Sequence, residues 1–388
     1  MRRCRLAVSV FVALCALLLL VSLANRAGAD PAAAGVLSVE ELALHPSGGA
    51  YEVNIDPQGM AWVSDYDAGE IWQIDPSTDV YTSYHGLTTA SDARGDGTGA
   101  VWWAEGSSNR LGRLQLASGE ATFWEMPGAW ALYGTHIDAA GMIWTVDFGE
   151  PNLYRLDPST NQVCVYTLPD GGATSYLTGH TGEVWVGDWD NNRVYRLDVV
   201  PAMATYWQAP YDILPEKVVR DGQGRLWWAD DTLDALALLD PAASTLTRYD
   251  PPVSSSPAYA AVSEVGIWYT DWADRVGLMQ PRDAAGVVAD VLSDTVPITP
   301  TCEIHSPSAS AIVTHTVGAA SWSTVSYGAA TETGGWWAYD LPEGGIPWGI
   351  DVGQGYAWFV DTNRYVVGRI SLDPWSAHRI YLPLVLRQ

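Results

Sequence analysis

The sequence predicts an all-β fold: a seven-bladed β-propeller of four-stranded antiparallel blades, closed by pairing of N- and C-terminal strands. Three observations carry this prediction. A motif, Gly-x-x-Trp-x-x-acid, recurs along the chain and is clearest at Gly182-Glu-Val-Trp185-Val-Gly-Asp188. It places Trp/acid pairs at Trp62/Asp65, Trp102/Glu105, Trp144/Asp147, Trp185/Asp188, Trp227/Asp230, Trp268/Asp271 and Trp358/Asp361. The first five steps between these Trp residues are 40, 42, 41, 42 and 41. Each unit also divides into four strand-like segments separated by turn residues, the signature of a β-meander. Finally, the segments are apolar on both faces, as a sheet packed between two similar sheets must be.

Blade three shows the plan. Tyr133 to Ile137 is a first strand, and Asp138-Ala-Ala-Gly141 is a turn in which Asp caps its own backbone and Gly is free to take positive φ. Met142 to Val146 carries the Trp, Asp147 to Pro151 is a loop, and Asn152 to Leu156 is the third strand. Asp157-Pro-Ser-Thr160 turns the chain into Gln162 to Leu168. The repeated Trp reads as a wedge between blades, worth roughly 2–3 kcal/mol on burial, and its indole N–H needs a partner.

Trp268 to Trp358 is 90 residues, one repeat plus about 49. The excess is assigned to a Ser/Thr/Ala-rich insertion, 283–335, within blade six, ahead of the outer strand Trp336-Trp-Ala-Tyr-Asp-Leu-Pro342. The alternative is a degenerate eighth blade using Ala311 to His315. Blade seven, Ile346 to Asp373, lacks an outer strand, which Val36 to Leu44 can supply. Closure removes the exposed sheet edges that invite aggregation. The propeller is thus expected over 30–375, with 376–388 as an added strand or a tail.

The formal charge is -25, and the 388 residues are ample for a large core. Residues 1–29 carry four Arg and no acid, leaving about -29 on the remainder. So acidic a body argues against nucleic acid and against anionic membrane surfaces as partners. Arg2, Arg3 and Arg5 precede an apolar run from Leu6 to Ala24, and Ala27-Gly28-Ala29 offers a cleavage site. Residues 1–29 therefore read as a signal peptide, and the protein as secreted and monomeric, touching a membrane only through an uncleaved leader. Two cysteines, Cys164 and Cys302, remain outside the leader; they can pair outside the cell, though two cysteines carry no spacing information.

In such a wheel the acids after each Trp gather on one face, often followed by an aromatic: Tyr66, Phe148, Trp189 and Trp272. The first strands add Glu52, Asp92, Tyr133, Lys217 and Trp348. The candidate ligand-binding residues are Glu52, Asp92, Glu105, Tyr133, Trp189, Lys217, Trp272 and Trp348. Glu52, Asp92 and Glu105 are candidates for a divalent cation, Mg2+ or Ca2+; His136 and Lys217, the only lysine in the chain, are candidate bases. An acid in every blade equally suits a repeated structural task, accepting backbone N–H groups in its loop. No Gly-x-Ser-x-Gly, His-Glu-x-x-His or phosphate-binding glycine loop occurs.

Gly-x-x-Trp-x-x-[Asp/Glu], then a segment such as Asn109-Arg-Leu-Gly-Arg-Leu114 or Val366-Val-Gly-Arg-Ile370, then Tyr-x-Leu-Pro, resembles the virginiamycin B lyase family. The resemblance covers most of 36–373 apart from the insertion. It implies a magnesium-assisted elimination that opens a cyclic depsipeptide, with a His base and metal-holding glutamates. In that family an acid two residues before the catalytic His follows the blade Trp. Here the residues two beyond the acids are Asp67, Ser107, Gly149, Asp190, Thr232, Ala273 and Asn363, so the expected His is missing. The expectation is a secreted lyase-like propeller that binds a small-molecule or extracellular ligand on its acidic, aromatic face. The alternatives are a metal-dependent carbon–oxygen lyase and a calcium-dependent lactonase-like hydrolase.

Overall fold

Seven antiparallel blades, the sixth and seventh joined into one sheet, stand around one axis in a computed structural model that describes residues 37–44, 48–180, 182–252, 254–342 and 344–372. The described residues contain strands and turns and no helix. The predicted leader, 1–29, and the predicted tail, 376–388, lie outside them.

Blade three is typical: Leu132–Ile137, Ile143–Asp147, Asn152–Asp157 and Gln162–Thr167 pair consecutively from the axis outward. Blade seven is assembled from both ends of the chain. Its strands Pro347–Gly353, Tyr356–Asp361 and Val366–Ser371 are completed by Leu37–Ala43, with Glu41 opposite Gly368 and Ala43 opposite Val366. The ring is closed as predicted.

All seven repeat indoles are buried, with at most 2% exposure. Three of their N–H groups find the same local partner. Asp56, Asp138 and Asp221, each six residues before its Trp, accept from Trp62, Trp144 and Trp227 at 2.8, 3.1 and 3.0 Å. The same carboxylates cap the turn between strands one and two, so a single Asp fixes both the turn and the wedge.

A second packing rule links strands two and three. In three of the four blades where an aromatic follows the Trp, a Gly stands opposite: Trp103 faces Gly112, Tyr269 faces Gly277 and Phe359 faces Gly368, while Trp228 faces Ala237. A Cβ at those glycines would come within 2.3, 2.1 and 2.2 Å of the ring. The Gly of Asn109-Arg-Leu-Gly-Arg-Leu114 is there because a ring occupies the place of its side chain.

Blades of four strands were expected; five of the seven carry a fifth, supplied by the stretch read as an insertion. It leaves blade six after Arg275–Met279 and runs around the rim. Gly286–Asp290 pairs with the outer strand of blade five, and Leu292–Pro297 with that of blade four. Thr301–Ile304 follows on blade three, Ser308–Ile312 on blade two, and Thr314–Ala319 on blade one. Ser323–Thr333 then lies between Leu37–Ala43 of blade seven and Trp336–Asp340 of blade six. No eighth blade forms: Ser308–Ile312 and Thr314–Ala319 are edge strands of existing blades.

Three anchors hold this belt. Cys302 is disulfide-bonded to Cys164, directly opposite it in blade three. Trp322 donates to Asp79 at 2.8 Å and lies under the Arg369 guanidinium at 4.0 Å. Tyr327 donates to Glu41, which also takes Arg364 at 2.9 and 2.5 Å.

Candidate functional site

The acids that end each second strand form a ring of clips. All are buried, at 0 or 1% exposure. Asp65 accepts from the backbone of Gly49 at 2.7 Å and Ala68 at 2.9 Å. Asp188 accepts from Gly172 at 3.0 Å and Asn191 at 3.2 Å, and Asp361 from Ile346 at 3.0 Å and Arg364 at 3.1 Å. Asp230 and Asp271 repeat the arrangement, each tying the loop entering its blade to the turn after its second strand. Asp147 holds the entering loop alone, through the backbone of Trp130 and Ala131, and takes the Tyr154 hydroxyl. Burial raises the pKa of Asp65, Asp147, Asp230 and Asp361, against the backbone N–H bonds that lower it. Glu105 has the same place in blade two; its carboxylate takes the Thr88 and Ser108 hydroxyls at 2.6 and 2.5 Å and the Arg110 Nε at 2.9 Å.

The inner ring is chemically different. On or just before the seven first strands stand Glu52, Asp92, Tyr133, Tyr176, Lys217, Tyr259 and Trp348. Lys217 of blade five donates to Glu52 of blade one at 2.5 Å, across the axis. Its ammonium lies 5.3 Å from the Tyr176 ring and 5.6 Å from the Tyr259 ring, a cation–π arrangement. Asp92 takes Asn54 Nδ2 and the Thr135 backbone N–H, both at 2.6 Å, with Arg94 Nε at 3.4 Å.

Around this pair the aromatics form a continuous chain. Trp189, Phe148, Tyr133, Tyr176, Tyr259 and Trp348 follow one another at centroid separations of 5.7, 5.2, 5.3, 5.6 and 6.0 Å. Trp272 and Tyr51 flank Trp348 at 5.4 and 5.3 Å, and Tyr66 follows Tyr51 at 5.8 Å. Tyr51, Tyr66, Tyr133, Phe148, Trp189, Trp272 and Trp348 are half-buried. Several buried polar atoms have no hydrogen bond of good geometry: Glu52 Oε1, the Tyr176 hydroxyl, and the indole nitrogens of Trp272 and Trp348.

Two carboxyls at this centre escaped the sequence reading. Glu216, beside Lys217, is pushed up to about 8 by burial and then by Asp231 and Glu52. Asp231 is raised to about 6 by burial and its neighbours Asp230 and Asp234. Glu52 is raised by burial, against the pull of Lys217. Tyr176 and Tyr259 were missed as well. The ring position lies 10 residues before Trp62 but 11 before Trp144 and 9 before Trp268. The first strands of blades one, three, six and seven carry register shifts there, and bulges of this kind re-aim side chains at a rim.

His136 lies between blades three and four, where a Cβ on Gly179 would be 2.6 Å from its Nε2. His85 is bound to Glu70 at 2.8 Å on the rim, and His315 faces Tyr84 there. The three acids considered for a cation do not converge. Glu52 is matched by Lys217, Glu105 by Arg110, and Asp92 is filled by its own donors. Among the described residues no three His, Cys, Asp or Glu side chains form a metal-binding group. This donor set does not fit Mg2+ or Ca2+.

A match to the virginiamycin B lyase family extends over residues 37–289, about two thirds of the chain. The chain belongs to that family. Similar solved structures include a streptogramin B lyase, at 18% identity and TM-score 0.65, covering 87% of this chain and 98% of that one. A catalytically inactive histidine-to-alanine virginiamycin B lyase from Staphylococcus aureus, with quinupristin, aligns at 17% identity and TM-score 0.64, covering 86% and 99%. U3-55K, at 11% identity and TM-score 0.56, covers 86% and 98%. At these identities the structural likeness speaks for the fold alone. No curated protein matches the chain.

Proposed function

We propose that this member of the virginiamycin B lyase family is an exported protein that binds a rigid, largely apolar ligand on its aromatic axial face. The observation that carries this is the chain of half-buried rings around the Glu52–Lys217 pair, with unpaired indole N–H groups of Trp272 and Trp348 among them. Such a surface offers flat contact area at low entropy cost and a few oriented donors for ligand carbonyls. Export is supported by the Arg-rich apolar leader and by the Cys164–Cys302 disulfide, a bond typical of oxidising compartments.

A cyclic depsipeptide of the streptogramin B class is the natural probe. The expected result is quenching of tryptophan emission on titration, with the ligand recovered unchanged. Elimination leaves the mass unaltered, so the linear isomer must be sought by chromatography. No quenching with any such cyclic peptide would overturn the binding reading.

One observation favours a second reading, a lyase without a histidine base. Glu216 has a carboxyl near neutral pKa within reach of Tyr259 and Lys217, as a general base requires. Glu216 would remove the proton from the carbon adjacent to the one bearing the ester oxygen; a carbon–carbon double bond would form between those two carbons as the carbon–oxygen bond breaks, and the ester oxygen would leave with the bonding pair as a carboxylate. A linear isomer that forms with the native protein and not with Glu216→Gln would select this reading.

A further inference from the structure

The turns opposite the axial face enclose a cleft of about 270 Å³ between blades four and five. Its walls include Glu183, Trp185, Arg196, Trp207, Arg220 and Gln223. A contact made at one other junction of the wheel is missing here. At the junction of blades two and three, Trp124 of the outer strand donates its indole N–H to Asn161 Oδ1 of the next blade at 3.0 Å. Asn161 closes the turn Asp157-Pro-Ser-Thr-Asn161 with φ of 59°. Trp207 is the matching indole of blade four: Trp124 stands opposite Leu111 as Trp207 stands opposite Val194. The matching turn of blade five is Asp240-Pro-Ala-Ala-Ser244, where Ser244 has the same backbone, φ of 53°. Its side chain is too short to replace the amide. Trp207 is 6% exposed, and its Nε1 has no partner. A buried indole N–H left unmatched is unfavourable, and a ligand that accepts it relieves that cost.

The lining charges cancel. Arg196 gives two N–H groups to Asp198, at 3.1 and 2.7 Å, and Arg220 lies 3.5 Å from Glu183. What remains is an alternation of donors and acceptors in a neutral cleft: an indole N–H, an amide, guanidinium edges and carboxylates. A cleft below the roughly 300 Å³ of drug-sized sites takes one small ring and no more. Hydroxyls that both donate and accept match this wall better than a charged group, which would face an opposite and a like charge together.

We propose that this cleft is a second binding site, for a single neutral pyranose unit whose ring oxygen or hydroxyl accepts the Trp207 N–H. The test is ¹⁵N-indole NMR of the full chain, with the Trp207 signal assigned by its loss in Trp207→Phe. Neutral hexoses are expected to move that signal saturably at millimolar concentration. Ser244→Asn, which restores the amide acceptor, is expected to shift it without sugar and to abolish the titration. Gln223→Ala, a surface change, is expected to weaken binding at least several-fold with the fold intact. A Trp207 signal unmoved by any neutral hexose at its solubility limit would overturn the proposal. So would movement with sulfate or uronic acids alone, or a titration unaffected by Ser244→Asn.

Discussion

Lys217 Nζ and Glu52 Oε2 meet at 2.5 Å across the axis, joining blade five to blade one 165 residues away in sequence. Both side chains are at least nine-tenths buried. Removing one partner from such a pair costs about 3–5 kcal/mol, because the other is left charged in a poor solvent. Lys217→Met should therefore lower the urea midpoint strongly, and more at high pH, where Glu52 cannot take up a proton. Lys217→Met with Glu52→Gln should recover most of the loss. Equal stability of the single and double variants would show that the pair does not hold the axis.

The ring–glycine pairs predict a steric effect of known sign. A methyl on Gly368 would sit 2.2 Å from Phe359 Cζ, in a fully buried layer. Overpacking of this kind costs about 1–3 kcal/mol. Gly368→Ala should lower the denaturation midpoint accordingly, and Phe359→Leu in the same chain should restore part of it. Additive losses would mean that the two residues do not share the space.

The period of the Trp motif made the blade count and ring closure legible, because each blade repeats the same wedge and the same clip. The role of the clip acids was half legible: a carboxylate at one place in every blade suits a loop that needs the same N–H groups satisfied each time. The axial residues were harder. Glu52, Asp92, Lys217 and Trp348 all lie ten residues before their Trp, whereas the count is 11 for Tyr133 and 9 for Tyr176 and Tyr259, with a register shift in the first strands of Tyr133 and Tyr259. Glu216 and Asp231 gave no sign, since their chemistry comes from burial beside other acids. The belt was invisible for another reason. Its strands Leu292–Pro297 and Thr314–Ala319 are exposed on both faces and carry no alternation, because they are held by backbone pairing rather than by a core.

That weak burial makes the Cys164–Cys302 bond the decisive attachment of Thr301–Ile304, all four of whose residues are exposed. With its ends separated by 138 positions in sequence, the cross-link is worth up to about 4–5 kcal/mol in the chain-entropy account. Cys302→Ser with Cys164→Ala should speed amide hydrogen exchange in Thr301–Ile304 and in the edge strand Gln162–Thr167. Exchange in the inner strands of blade three, Leu132–Ile137 and Ile143–Asp147, should be unchanged. Faster exchange throughout the blade would show that the belt is part of the folding core; no change anywhere would show that the ladder alone suffices.

Glu216 sets an expected pH dependence. Its ordinary value of 4.5 rises to about 8 in the folded chain, chiefly through burial. The native state then holds this proton between those values while the unfolded chain has released it. A raised acid contributes stability that is complete below 4.5 and lost as pH rises through 8. Asp231, raised from 3.8 to about 6, adds a loss of the same sign over a lower window. Thermal midpoints should accordingly fall from pH 5 toward pH 8, and Glu216→Gln, which keeps the shape without the charge, should flatten the upper part of that slope. Two outcomes would contradict the assignment: a midpoint that rises over this range, or a slope in Glu216→Gln identical to that of the native chain.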